Sequence, residues 1–278
     1  MPSHELLLFL LIAISFLISI FGSIVGFGGG IFIVPILITI FHYKLDAAVG
    51  AAMISLIPSS LISTYLNRKN SNVDFKMGIL LELPTIVGVV LGSMLLTYIS
   101  AKRLEILFAL MVLFLGLSFF VKLKKRDNQE MGVFYRLNKL KPRFVIKNTA
   151  HFAAYRVSLY MVFVFGILSG TLAGLFGVGG GFMKTPIMLK VFKIPAKIAA
   201  ATALFMIVIT SITGSISHYI QGHIYLEKAW PIMLGFAIGA IVGHKLNTRI
   251  KSKTLEKMIG FSLILAALIM MSNFIITG

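Results

Sequence analysis

Long apolar runs separated by short polar turns fill this chain from end to end. The first run, Leu6–Phe41, is interrupted by Gly26-Phe27-Gly28-Gly29-Gly30. Those glycines divide it into one helix of spanning length and a short one of about 11 residues. Three further apolar segments follow, near 46–66, 78–98 and 104–121. The same order then returns: Val157–Phe192, broken at Gly177-Val178-Gly179-Gly180-Gly181, and then segments near 196–220, 229–249 and 255–277. A helix needs about 20 apolar residues to cross the ~30 Å hydrocarbon core. The short helices rise only ~16 Å, half that thickness. Each therefore starts at a break inside the bilayer. The pattern predicts an all-α, polytopic helical membrane protein with three or four spans plus one short helix in each half.

The two halves are copies. A single offset of 151 positions carries Gly26, Gly28, Gly29, Gly30 and Pro35 onto Gly177, Gly179, Gly180, Gly181 and Pro186. It goes on to match Ser60 with Ser211, Gly88 with Gly239, Gly92 with Gly243, and Glu105 with Glu256. Register held on Gly, Pro and charged positions is the mark of a duplicated unit. The expected organisation is an N-terminal membrane repeat over 1–121, a basic linker over 122–156 and a C-terminal membrane repeat over 157–278.

Composition agrees with a membrane protein. Hydrophobic residues make up 58% of the 278 positions and charged residues 13%, against about 45–50% and about 25% in soluble domains. Mean hydropathy is +0.97. Cysteine is absent, which excludes disulfides and thiolate chemistry. Met1–Phe21 has no Lys or Arg before its apolar run and no small-x-small cleavage site, so it reads as part of the mature protein rather than a signal peptide.

The net charge of +17 would suggest a nucleic-acid partner in a soluble protein. Its distribution points to topology instead. With the linker placed in the cytoplasm and the second half inverted, Lys44, Lys102, Arg103 and Lys228 lie outside and the rest of the 26 Lys and Arg lie inside. That is a strong positive-inside bias. Both termini then fall outside, with Trp230, Tyr219 and Tyr225 at the outer interface, and no nucleic acid is expected.

Inverted repeats with broken helices are the architecture of secondary transporters, with substrate held near the midplane at the repeat interface. The short helices would present unpaired N–H groups at Ile31 and Phe182, favourable to an anion. Lys184, three residues after Gly181, is a candidate anion contact or a lysine snorkelling to the cytoplasmic face. Glu82 is a candidate for proton coupling or for pairing with Lys184. Placed about one turn from its helix end, it reads as a partly solvated carboxylate. Ser59 and Ser60 align with Thr210 and Ser211, and these hydroxyls either donate to an anion or bond back to their own helices. Ser55, Ser59 and Ser63 share one face. His218 and His244 read as interfacial, and no His/Asp/Glu cluster has metal-ligand spacing. No cofactor is expected.

The strings Gly22-Ser23-Ile24-Val25-Gly26-Phe27-Gly28-Gly29-Gly30 with Pro35, and Gly170-Thr171-Leu172-Ala173-Gly174-Leu175-Phe176-Gly177-Val178-Gly179-Gly180-Gly181 with Pro186, resemble the sulfite exporter TauE/SafE family of membrane transporters. The resemblance covers nearly the whole chain. It implies an inner-membrane transporter of sulfur-containing or organic anions such as sulfite, thiosulfate or sulfonates. Two other classes compete: a membrane scaffold or receptor using the basic linker, and an intramembrane hydrolase, for which His218 near the serines is the one hint.

Overall fold

The computed structural model describes residues 4–70, 72–98, 101–120, 140–148 and 153–277. In chain order these form α1 (His4–Val25), α2 (Gly30–Thr39), α3 (Leu45–Lys69), α4 (Phe75–Leu95) and α5 (Ala101–Leu117). A hairpin of β1 (Arg143–Asn148) and β2 (Ala153–Ser158) comes next. The second half holds α6 (Leu159–Phe176), α7 (Gly181–Lys190), α8 (Ala196–Ile220), α9 (Leu226–Arg249) and α10 (Ser252–Thr277). Among the described residues, α1, α3, α4, α6, α8, α9 and α10 are seven helices long and apolar enough to cross a membrane. The chain is a polytopic helical membrane protein.

Packing between the halves is reciprocal. Helix α1 lies along α9 as α6 lies along α4, and α3 packs on α9 as α8 packs on α4. Helices α3 and α8 meet each other, as do α5 and α10. The reciprocity extends to single residues. A Cβ on Gly88 would strike the backbone of Ile167, and one on Gly239 would strike that of Phe16, the position equivalent to Ile167 under the 151 offset. Gly92 abuts Thr171 as Gly243 abuts Ile20, again equivalent positions. Lipid tails are as apolar as leucine, so helices in a bilayer gain from close approach rather than from leaving water. Small residues every fourth position supply it. Gly166, Gly170 and Gly174 face α4, while Ser15, Ser19 and Ser23 take the equivalent positions on α1 against Gly235, Gly239 and Gly243.

One element is an addition to the expected all-helical chain. Part of the linker 122–156 lies outside the described residues, but its end forms the β1–β2 hairpin, antiparallel, with Arg143 opposite Ser158 and Asn148 opposite Ala153. The hairpin is tied to the start of α4. Tyr155 Oη donates to Asp74 Oδ2 at 2.9 Å, while Asp74 Oδ1 accepts from Met77 N at 3.1 Å and so caps the helix. Asp74 N in turn donates to Thr202 Oγ1 on α8 at 2.9 Å. A hydrogen bond to a charged group contributes about 1.5–3 kcal/mol. Tyr155→Phe is therefore expected to lower unfolding stability by that order without changing helical content, measurable by detergent-titrated unfolding followed by circular dichroism.

Candidate functional site

The two glycine breaks meet in the middle of the bundle. Gly29 (φ 105°) and Gly180 (φ 71°) are the N-caps of α2 and α7, left-handed and without a side chain to cap the helix. Only glycine adopts this geometry at little cost. The helices begin at Gly30 and Gly181, one residue before the expected Ile31 and Phe182. Gly30 abuts Val178, and Gly181 abuts the Gly26 carbonyl and Phe27. Between the breaks stand Leu56 and Ile207, equivalent residues near the centres of α3 and α8. A Cβ at Gly28 would lie 2.8 Å from Leu56 Cδ2 and 3.2 Å from Ile207 Cδ1; one at Gly179 would lie 2.9 Å from Leu56 Cδ1 and 3.1 Å from Ile207 Cγ2. Ile31, Phe182, Pro35, Pro186 and all the break glycines are buried.

Beside the second break sits an ion pair. Lys184 Nζ donates to Glu82 Oε2 at 2.5 Å and to Thr210 Oγ1 at 2.7 Å. The Thr210 hydroxyl donates to the other carboxylate oxygen of Glu82. Glu82 is 1% exposed and Lys184 0%. The expected partly solvated carboxylate is therefore corrected: α4 begins at Phe75, so Glu82 lies two turns inside it. Lys184 likewise does not snorkel, because its ammonium is held by Glu82. The trio is assembled across the repeat, with Glu82 from α4 of the first half and Lys184 and Thr210 from α7 and α8 of the second. Nor is it duplicated. The equivalent positions are Met233, Ile33 and Ser59.

The other hydroxyls divide into two groups. Ser60 donates to Leu56 O at 2.6 Å and Ser211 to Val208 O at 3.1 Å, so both satisfy their own helices. Ser59 faces Ser19 at 3.5 Å, and Ser63 donates to Ser23 at 3.2 Å. Sequence reasoning missed this α1 partner of the α3 serine face. The signal was there: Ser15, Ser19 and Ser23 repeat at four-residue spacing, as Ser55, Ser59 and Ser63 do. His218 is corrected as well. It lies near the end of α8, as expected, but is 0% exposed rather than open to the surroundings, with Nε2 2.9 Å from Gly174 O and Nδ1 3.1 Å from His223 Nδ1.

Seven candidate spans, two glycine breaks in contact and a buried ion pair between the halves define a membrane protein of the transporter class. Comparison with known sequences makes this specific. The family model described as sulfite exporter TauE/SafE matches residues 11–270, and the chain belongs to that family of membrane transporters. Two relatives are each described as a probable membrane transporter protein. The one from Bacillus subtilis (strain 168) is 29% identical, covering 92% of this chain and 94% of its own. The one from Methanocaldococcus jannaschii is 31% identical, covering 91% and 89%. An Arabidopsis thaliana sulfite exporter TauE/SafE family protein is 28% identical over 46% of this chain and 24% of its own. No solved structure matches the chain.

Proposed function

We propose that this protein carries small sulfur-containing or organic anions, such as sulfite, thiosulfate or sulfonates, across the cell inner membrane. The observation that carries the proposal is the Lys184–Glu82–Thr210 cluster, an ammonium buried between the halves beside a helix break. A buried charge stripped of its partner costs several kcal/mol. Lys184 is therefore expected to exchange partners rather than lose one. In the substrate-free state Glu82 holds the ammonium. Protonation of Glu82 releases it, and an anion takes the place of the carboxylate with Thr210 donating beside it. Proton and anion would then move together around the Leu56–Ile207 contact as one half rocks against the other.

Support for an inverted repeat comes from the packing. Gly235 of α9 lies against Ile12 of α1, and Gly166 of α6 lies against Pro84 of α4. Helix α1 thus starts beside the start of α9, and α6 starts beside the start of α4. Gly50 near the start of α3 meets the His223 carbonyl in the α8–α9 turn, so α3 starts where α8 ends. With short turns from α3 to α4 and from α8 to α9, this favours starts at opposite ends of the bundle. In this reading the linker 122–156 is cytoplasmic, both termini are outside, and 1–121 and 157–278 are the two repeats. Substrate contacts would come from Gly26, Gly28, Gly29, Gly30 and Ile31 at the first break, and from Gly177, Gly179, Gly180, Gly181 and Phe182 at the second. Pro35 and Pro186 shape the short helices, and Ser59 is the repeat equivalent of Thr210.

Proteoliposomes containing the purified chain are expected to take up labelled sulfite or a short-chain sulfonate above the level of empty vesicles. An imposed pH gradient should change the rate. If neither anion, nor thiosulfate, moves in either direction, the proposal fails.

A further inference from the structure

Outside the central cluster, the described part of the second half holds one more buried titratable pair. His218 lies near the end of α8, and His223 lies in the turn to α9, 0% and 8% exposed. Their Nδ1 atoms are 3.1 Å apart, and His218 Nε2 is 2.9 Å from the Gly174 carbonyl. A carbonyl only accepts, so His218 carries its proton on Nε2. The neutral ring then offers a lone pair at Nδ1, and His223 must be the donor, protonated at its own Nδ1. The direction of the chain is thus fixed: His223 donates to His218, which donates to Gly174. It runs from the α8–α9 turn to α6, three residues before the second break at Gly177.

The backbone beneath this chain is common to both halves, while the histidines are not. His223 N donates to His218 O at 2.9 Å, and at the equivalent place Asn72 N donates to Asn67 O at 3.2 Å. Asparagine therefore satisfies the turn. Structure alone does not require a pair of imidazoles at this turn.

We propose that His218 and His223 form a two-proton site that latches the α8–α9 turn to α6. The first proton binds at His223 Nε2 and leaves the Nδ1–H···Nδ1 bond in place, now charge-assisted. The second binds at His218 Nδ1. Two N–H groups then face each other on two cations, and the contact opens. The turn, which also presses its His223 backbone against Gly50 of α3, is released from the helix leading into the second break.

Neighbouring elements bring no charge that would replace this switch. His223 is the one titratable group bearing on His218 among the described residues. Helix α6 presents the Gly174 backbone, and α4 presents Ser93, which is bonded to Ser217. On the elements flanking His223, Asp46 accepts from Ala47 N at 2.8 Å, and Lys228 lies over the Tyr43 and Tyr225 rings. Lys44 and Glu227 complete the charged groups at the starts of α3 and α9.

Trp230, the chain's one tryptophan, sits in the second turn of α9 and reports the turn's position. Full-length protein in nanodiscs, titrated from pH 8 to 3.5, should show a change in Trp230 emission confined to the acid end of the range, where the second proton binds. His218→Asn/His223→Asn, which copies the Asn67/Asn72 arrangement, should abolish it. An unchanged wild-type emission, or the same transition in the double variant, would overturn the latch. A second measurement needs no variant. Nitrogen-15 spectra of histidine-labelled protein at pH 8 should contain one Nδ1–H tautomer that is lost on acidification, and its absence overturns the proposal equally.

Discussion

Lys184→Ile alone is expected to destabilise the folded protein by about 3–5 kcal/mol, and Glu82→Met added to it to recover most of that loss. The single change leaves a carboxylate buried with no cation, and breaking a buried pair at one partner costs that order. Removing both partners leaves an apolar contact of similar volume, which is often neutral. The molecule already contains that version: Ile33 and Met233 occupy the equivalent places in the other half. Thr210 keeps a partner in the double variant, since its hydroxyl also lies 3.1 Å from Met206 O. Stability measured by SDS titration in mixed micelles should place the double variant within about 1 kcal/mol of wild type. Anion uptake should be absent from both. A double variant that transports at the wild-type rate would remove the pair from the mechanism.

The second large effect lies in the helix zippers. Gly88→Ala and Gly92→Ala each drive a methyl group into backbone of α6, at Ile167 and at Thr171. Backbone cannot step aside as the tip of a side chain can, so the helices must part. Overpacking costs typically 1–3 kcal/mol and occasionally more, and both changes are expected at or above the top of that range. Val87→Ala, on the exposed face of the same helix, should change stability by less than about 0.5 kcal/mol. The comparison is made by the same titration. Equal tolerance at Gly92 and Val87 would contradict the close packing of α4 on α6.

How far these features were legible follows from the physics of each. Spans and breaks were visible because bilayer thickness imposes a length and glycine strings interrupt it. The segment expected near 46–66 is α3, Leu45–Lys69, and that expected at 196–220 is α8, Ala196–Ile220. Depth was harder. A three-residue error in where α4 begins, 78 against Phe75, turned a deeply buried Glu82 into one near the surface. Its partner is 102 residues away, and only helix rotation brings the two together. His218 misled for the opposite reason. It does lie near a helix end, but the turn that follows folds back and covers it. The hairpin escaped notice because Phe144, Val145 and Ile146 sit among Arg and Lys that drew attention to charge alone.

In the proposed mechanism Lys184 exchanges Glu82 for a substrate anion when Glu82 takes up a proton. Proteoliposomes loaded with labelled sulfite, compared for wild type and Glu82→Gln with and without an imposed pH gradient, test it most directly. Wild-type flux should follow the gradient. Glu82→Gln, neutral at every pH, should move sulfite at a rate the gradient no longer alters. Gradient-driven flux that survives unchanged in Glu82→Gln would contradict the claim.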